Sequence, residues 1–252
     1  MTASSTDPGH VLILGGTSEI ALAIAAALAR RGHGLTLAGR DADALQREAA
    51  DLEIRHGVSV TTASFDALEP ATHQAFWQSL NPAPAGVVCA VGLLGDHGVA
   101  RTDFNHARQI LDTNLVGCIS VLDQAALAFE QRGEGFIIGI SSVAGDRGRA
   151  SNYYYGAAKA GFTAYLSGLR NHFASNASRV RVITVKPGFV ATRMTADHDT
   201  PALLTAQPEQ TARDILRALD GRRDVIYSRW YWRWIMLIIR LLPEPVFKRT
   251  RL

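Results

Sequence analysis

The sequence predicts an α/β fold: a doubly wound parallel sheet of about seven strands with helices on both faces. Three observations predict it. Short apolar runs alternate with longer helical stretches along nearly the whole chain. The runs are apolar throughout rather than at every second residue, as strands covered on both faces must be. The chain has 252 residues, 47% hydrophobic and 19% charged, and single cores stop growing at roughly 250–300 residues. This composition excludes a disordered chain.

Taken in order, residues 11–15 are an apolar run that ends in glycine and read as the first strand. Residues 18–31, rich in Ala, Leu and Ile, read as the first helix. Residues 34–38 give the second strand and the polar stretch 41–56 a helix. Residues 58–64 alternate like a strand, 70–80 are helical, and 86–91 are again an apolar strand. A long helical stretch covers 103–131, followed by a strand at 136–141, a helix at 151–174 and a strand at 180–186. A last clear helix spans 208–219 and a last short strand 225–227. No internal repeat or low-complexity linker interrupts this order. One domain over residues 1–228 is expected, with 1–9 disordered and 229–252 forming a tail of the same domain.

The net charge is +3, without the basic stripe of a nucleic-acid surface, so no nucleic-acid partner is expected. Cys89 and Cys118 lack metal-ligand spacing and lie in apolar contexts, which predicts two reduced, buried thiols and no metal. The polar residues 1–10 do not read as a secretory signal, so a cytoplasmic location is expected.

Leu14-Gly15-Gly16-Thr17-Ser18-Glu19-Ile20-Ala21 joins the first strand to the first helix. The two glycines allow a tight turn and let backbone N–H groups approach a pyrophosphate, to which the helix adds its positive end. Arg40 follows the second strand, where an adenosine ribose lies in a dinucleotide fold. An arginine there suits a 2′-phosphate, so NADP(H) is preferred and NAD(H) remains possible. Asp66, after the third strand, can accept from an adenine amino group or simply cap a turn.

Tyr155 and Lys159 stand four apart, on one face of a helix. An ammonium beside a phenol favours the phenolate, which suits acid–base work nearer neutral pH. Ser142 lies thirteen positions before Tyr155 at the carboxyl end of a strand, where open α/β sheets bind ligands, and can polarise a carbonyl. Its neighbour Ser141 is expected to be structural.

Ser142, Tyr155 and Lys159, with Ile140-Ser141-Ser142-Val143-Ala144-Gly145 and Pro187-Gly188-Phe189-Val190-Ala191-Thr192 around them, resemble the signature of the short-chain dehydrogenase/reductase family. The resemblance covers about residues 11–227. It implies a Rossmann-type fold, an NAD(P)-dependent oxidoreductase acting on an alcohol or carbonyl carbon, and a homo-oligomer, dimer or tetramer. It also implies that Asn114 anchors the catalytic lysine through a water. Pro187 and Gly188 would lie beside the nicotinamide, and Val190 and Thr192 would meet its carboxamide. Val91 and Gly92 would stand in the cofactor-binding stretch after the fourth strand. Two departures stand out: Glu19 and Ala21 replace common glycines, and Cys89-Ala90-Val91-Gly92 replaces the usual Asn-Asn-Ala-Gly.

Those departures, with Phe65-Asp66-Ala67-Leu68, Val91-Gly92-Leu93-Leu94-Gly95-Asp96 and the aromatic-basic tail, look like the decaprenylphosphoryl 2-keto-erythro-pentose reductase group. That likeness implies a polyprenyl-phosphate-linked 2-keto pentose substrate, in arabinose-lipid synthesis for the cell wall, and a flavin oxidase partner that supplies it. A 3-oxoacyl thioester or another hydrophobic ketone is the alternative. A non-catalytic dinucleotide-binding module is a further one, motivated by the altered glycine turn and opposed by the retained Ser, Tyr and Lys.

The tail reads Trp230 to Leu242 as thirteen mostly apolar residues broken by Arg233 and Arg240. A membrane span needs roughly 20, so the tail should not cross. Arg233 and Arg240 are seven apart and share a helical face, and Arg229, Lys248, Arg249 and Arg251 could attract anionic lipid. A membrane surface on the inner face, a subunit interface and a cover for the active site all stay open. The polar segment 191–207 is a candidate substrate lid.

Overall fold

The computed structural model describes residues 9–176, 178–196 and 201–250. The expected disorder of 1–9 therefore lies outside the described residues, except at Gly9. The chain runs β1 (Val11–Leu14), α1 (Glu19–Ala29), β2 (Leu35–Gly39), α2 (Ala42–His56), β3 (Val60–Ser64), α3 (His73–Ser79) and β4 (Gly86–Cys89). It continues with α4 (His97–Thr102), α5 (Phe104–Leu111), α6 (Gly117–Arg132), β5 (Glu134–Ile140), α7 (Tyr153–Ser175) and β6 (Arg179–Pro187). Two short strands follow, β7 (Phe189–Val190) and β8 (Thr205–Ala206), then α8 (Pro208–Asp220), β9 (Val225–Ser228), α9 (Tyr231–Leu241) and α10 (Glu244–Phe247).

Seven strands form one parallel sheet in the order β3-β2-β1-β4-β5-β6-β9. Alternate residues of the same strand feed two separate cores. Val11 and Ile13 of β1 join Ile24 and Leu28 of α1, Leu45 of α2 and Ile215 of α8. Leu12 and Leu14 point the other way, to Leu122 and Phe129 of α6 and Phe162 and Leu166 of α7. This is the physical reason the strands lack alternation, and each such side chain contributes about 1.5–3 kcal/mol of burial. The order of strands reverses between β1 and β4, and the crevice at their carboxyl ends is where such sheets take ligands.

Four local differences from the sequence-based elements bear on the site. The helix expected at 70–80 is a 3-10 turn, Pro70–Thr72, followed by α3. The stretch at 103–131 is broken by a π-helical turn, Asp112–Val116, which carries Asn114 into the interior with none of its surface exposed. Just beyond it, a Cβ on Gly117 would lie 2.0 Å from the Ala67 carbonyl oxygen, so only glycine lets α6 pass that loop. The separate helix α4 has Asp96 as its N-cap, its side chain accepting from Val99 N–H at 3.0 Å. Segment 191–207 is not all loop: β8 pairs with β7, Phe189 with Thr205 and Val190 with Ala206, while 197–200 lie outside the described residues.

The tail helix α9 docks with one face. Trp232, Met236 and Ile239 are buried against Val143, Phe189, Leu204 and Tyr227. Arg147 holds the far end: its guanidinium donates to the Ile239 and Leu242 carbonyls, pairs with Glu244 and stacks on the Phe247 ring at 3.8 Å. The opposite face leaves Trp230, Trp234, Ile238 and Leu241 exposed. The only described helical stretch with the length and apolarity of a membrane span is Phe104–Arg132. Ala107, Ile110, Val121, Leu122, Ala125 and Phe129 commit its apolar face to the interior.

Candidate active site

A cleft of about 680 Å³ opens at the carboxyl ends of the central strands, and Ser142, Tyr155 and Lys159 all line it. α7 places Tyr155 and Lys159 one turn apart on the same face. Lys159 is 2% exposed, and its ammonium lies 5.7 Å from the centre of the Tyr155 ring. It donates to the Ile140 carbonyl at 3.0 Å and to the Val91 carbonyl at 3.4 Å, which fixes the charge between the ends of β4 and β5. Ser142 leaves β5 in extended backbone and its hydroxyl accepts from Ala144 N–H at 3.1 Å. Ser141 is buried, and its hydroxyl donates to the Lys159 carbonyl at 3.0 Å beside Thr163 Oγ1 at 2.7 Å. Both serines border the cleft, but the Ser141 hydroxyl is spent on tying the end of β5 to α7, whereas the Ser142 hydroxyl keeps its proton free to donate.

The loop between Ser142 and Tyr155 is pinned from below. Asp146 accepts from Lys186 Nζ at 2.5 Å and from the Tyr227 hydroxyl at 2.8 Å, so β6 and β9 both anchor it. Burial, then the Asp146 carboxylate, raises the Tyr227 pKa, which keeps this phenol a donor.

Asn114 does not itself line the cleft. Its Nδ2 donates to the Leu93 and Ile110 carbonyls at 2.6 and 2.8 Å, and its Oδ1 accepts from Leu93 N–H at 3.2 Å. It therefore fixes the strand-end segment that follows Gly92. A Cβ on Gly92 would lie 3.4 Å from Asn114 Oδ1 and 3.7 Å from Lys159 Nζ, so this glycine keeps the two within reach of one gap.

The other predicted residues, Gly16 excepted, separate into two groups. Ser18, Glu19, Ile20, Val91, Gly92, Pro187, Gly188, Val190 and Thr192 line the same cleft as Tyr155. Gly15, Thr17, Arg40 and Asp66 line a neighbouring pocket of about 320 Å³, which shares Ser18, Glu19, Val91 and Gly92. Gly15 has φ 77°, and a Cβ there would lie 2.9 Å from the Ala90 carbonyl oxygen. Gly16 lines neither: it backs onto Leu37 and Leu45, and its N–H, like that of Gly15, donates to the Ala38 carbonyl. The contribution of these two glycines is thus steric, and their amides are spent on β2. Asp66 Oδ1 accepts from Leu68 N–H at 3.0 Å, the turn-capping option, while the residue still borders the pocket.

Sequence reasoning missed Arg193. Its backbone N–H and Nε donate to Glu19 Oε1 at 3.1 and 2.8 Å, and Nη2 donates to the Thr17 carbonyl at 2.9 Å. Burial pushes the Glu19 carboxyl up, but the amides of Glu19 and Arg193 and the guanidinium outweigh it and hold the carboxyl below its ordinary range. The pair sits where the two pockets meet. With the Arg193 side chain 79% exposed, the pair contributes at most about 1 kcal/mol and is easily exchanged.

Residues 9–202 match the family model described as short chain dehydrogenase. The chain belongs to this family. An uncharacterized oxidoreductase of Streptomyces coelicolor is 35% identical over 98% of the chain and 97% of its own length. An uncharacterized oxidoreductase of Mycobacterium tuberculosis is 41% identical over 162 residues, which span 64% of each protein. The fold superposes on a short-chain dehydrogenase from Sphingobium yanoikuyae in complex with NADPH, with a TM-score of 0.81, 23% identity and 96% coverage of both chains.

Proposed function

We propose that this short-chain dehydrogenase reduces a ketone with NADPH, Tyr155 supplying the proton. The observation that carries the proposal is the convergence of Ser142, Tyr155 and Lys159 on one cleft beside Pro187 and Gly188. The cleft and its neighbouring pocket fit a dinucleotide. The amino end of α1, at Ser18 and Glu19, faces the junction of the two, as an anion site requires. Thr17, Ser18, Glu19 and Ile20 would border the phosphates and Gly16 would hold the turn down. Arg40, Asp66 and Val91 would border the adenosine part, and Gly92 the gap beside Lys159. Pro187, Gly188, Val190 and Thr192 would hold the nicotinamide part. When bound, the cofactor supplies the hydride.

Tyr155 gives its proton to the carbonyl oxygen, and Ser142 donates a hydrogen bond to that same oxygen. Lys159, held by two carbonyls, stabilises the phenolate left behind. Asn114 is a positioning residue for the Leu93 segment. Arg40 selects NADPH through the 2′-phosphate. Arg40→Ala is expected to cut the NADPH-over-NADH preference in kcat/KM by about tenfold or more, as loss of a charge-assisted contact implies. An undiminished preference would remove Arg40 from this role.

For the substrate we favour a polyprenyl-phosphate-linked 2-keto pentose, supplied by a flavin oxidase, with the protein resting on the cytoplasmic face of the membrane. Trp230, Trp234, Ile238 and Leu241 form an exposed apolar face on the helix that packs behind Val143 and Phe189 of the cleft wall, and this supports delivery from a lipid surface. The test is NADPH consumption with the lipid-linked keto pentose, a neutral ketone and a 3-oxoacyl thioester. Faster turnover of the thioester would overturn the sugar reading. Flotation with anionic vesicles checks the membrane contact. Binding should fall in Ile238→Glu with Leu241→Glu, and equal recovery of wild type and variant would end that part.

A further inference from the structure

We infer that the cleft contains a subsite for an anionic, phosphate-bearing part of the substrate, built on Arg149 and completed by Asn152 and His97. The inference rests on the ketone-reductase reading for its chemistry but on separate observations for its residues.

Four buried side-chain polar atoms among the described residues have no hydrogen-bond partner. Three of them belong to residues lining this one cleft: Arg149 Nε, Asn152 Oδ1 and His97 Nδ1. Buried polar groups are costly to leave unpaired, and three residues with such groups along the wall of one cleft are where a polar ligand would find partners. The cluster pairs a fixed cation with two groups able to serve hydroxyls, which suits a phosphorylated polyol better than a plain hydrophobic ketone.

Arg149 is the decisive member. Among the described residues its one hydrogen-bonding contact is Nη2 on the Met236 sulfur at 3.7 Å, a weak acceptor. Burial lowers its pKa, and attraction from Asp146 offsets this only in part. Among the described residues the nearby carboxylates are already engaged. Asp146 is held by Lys186 and Tyr227, Glu19 by Arg193, and Asp96 caps α4. Two residues earlier on the same loop, Arg147 is fully used by the tail helix. Lys159, the other cation lining the cleft, is held by backbone carbonyls. Arg149 is thus the cation of the cleft that lacks an oxygen partner among the described residues. It sits seven positions after Ser142 and six before Tyr155, on the loop that joins them.

The test compares a 2-keto pentose with its phosphate ester, in wild type, Arg149→Met and Arg149→Lys. A hydrogen-bonded charge pair corresponds to about 10–100-fold in affinity. Arg149→Met is therefore expected to raise the KM of the phosphate ester relative to that of the neutral sugar by about 10–100-fold, with a smaller change in kcat. Arg149→Lys should restore part of it. A ratio that does not move, or a wild type that does not prefer the ester, overturns the proposal. Calorimetric titration of the ester into the NADPH-loaded protein gives a readout free of turnover. Ester binding that depends on Arg149, without reduction, would support the subsite and refute the reductase reading. No binding refutes the subsite alone if neutral ketones are still reduced. A prenylated ester distinguishes the source of the phosphate: tighter binding than the free ester assigns a lipid headgroup, and equal binding assigns a soluble sugar phosphate.

Discussion

Tyr155→Phe is expected to lower kcat by about 10²–10⁴-fold, the range that one general acid supplies, while NADPH binding changes by no more than about twofold. The substitution removes one oxygen and leaves the ring, its place on α7 and the ammonium 5.7 Å from its centre. Lys159 keeps its bonds to the Ile140 and Val91 carbonyls, so the cofactor side of the cleft is preserved. Fluorescence titration with NADPH separates binding from turnover. Undiminished turnover would remove Tyr155 from the chemistry, and a parallel loss of binding would make its role structural.

The second large effect concerns the tail. Trp232→Ala is expected to cost about 3–5 kcal/mol, as truncation of a buried tryptophan does. At about 2–4 °C per kcal/mol for a chain of this size, the melting temperature should fall by roughly 10 °C. Trp232 is 3% exposed, meets the Phe189 ring edge-on at 5.5 Å and donates Nε1–H to the Leu204 carbonyl at 3.3 Å. It also fills the space of the absent side chain at Gly188, where a Cβ would come within 2.0 Å of its ring. Because Gly188 and Phe189 line the cleft, a weaker NADPH affinity should accompany the thermal loss. An unchanged melting temperature would mean that the tail contributes no packing. Only one face of α9 takes part, so this docking leaves the exposed face available for a surface contact.

The fold was legible because buried parallel strands and amphipathic helices leave different patterns, and Ser142, Tyr155 and Lys159 because their spacings map onto one strand end and one helix face. What stayed hidden has specific causes. The π-helical turn at Asp112–Val116 adds a residue to a turn without disturbing the apolar pattern of a long helix, so the burial of Asn114 could not be read. The six-residue α4 contains Gly98 in a polar stretch and gives no periodic signal. Two-residue strands such as β7 and β8 are shorter than any alternation. Glu19 and Arg193 lie 174 positions apart, and no local rule pairs them. Arg149 is a loop arginine in the sequence. Only the lack of an oxygen partner among the described residues singles it out from Arg147, which is equally sheltered but supports α9 instead.

The most direct test of the central claim, hydride transfer paired with proton donation at Tyr155, is a single turnover with NADPH deuterated at the nicotinamide C4. Mass spectrometry of the product is expected to find deuterium on the new carbinol carbon, with transfer slowed in Tyr155→Phe. Bound NADPH with no label reaching any ketone, or transfer at the same rate in Tyr155→Phe, would contradict it.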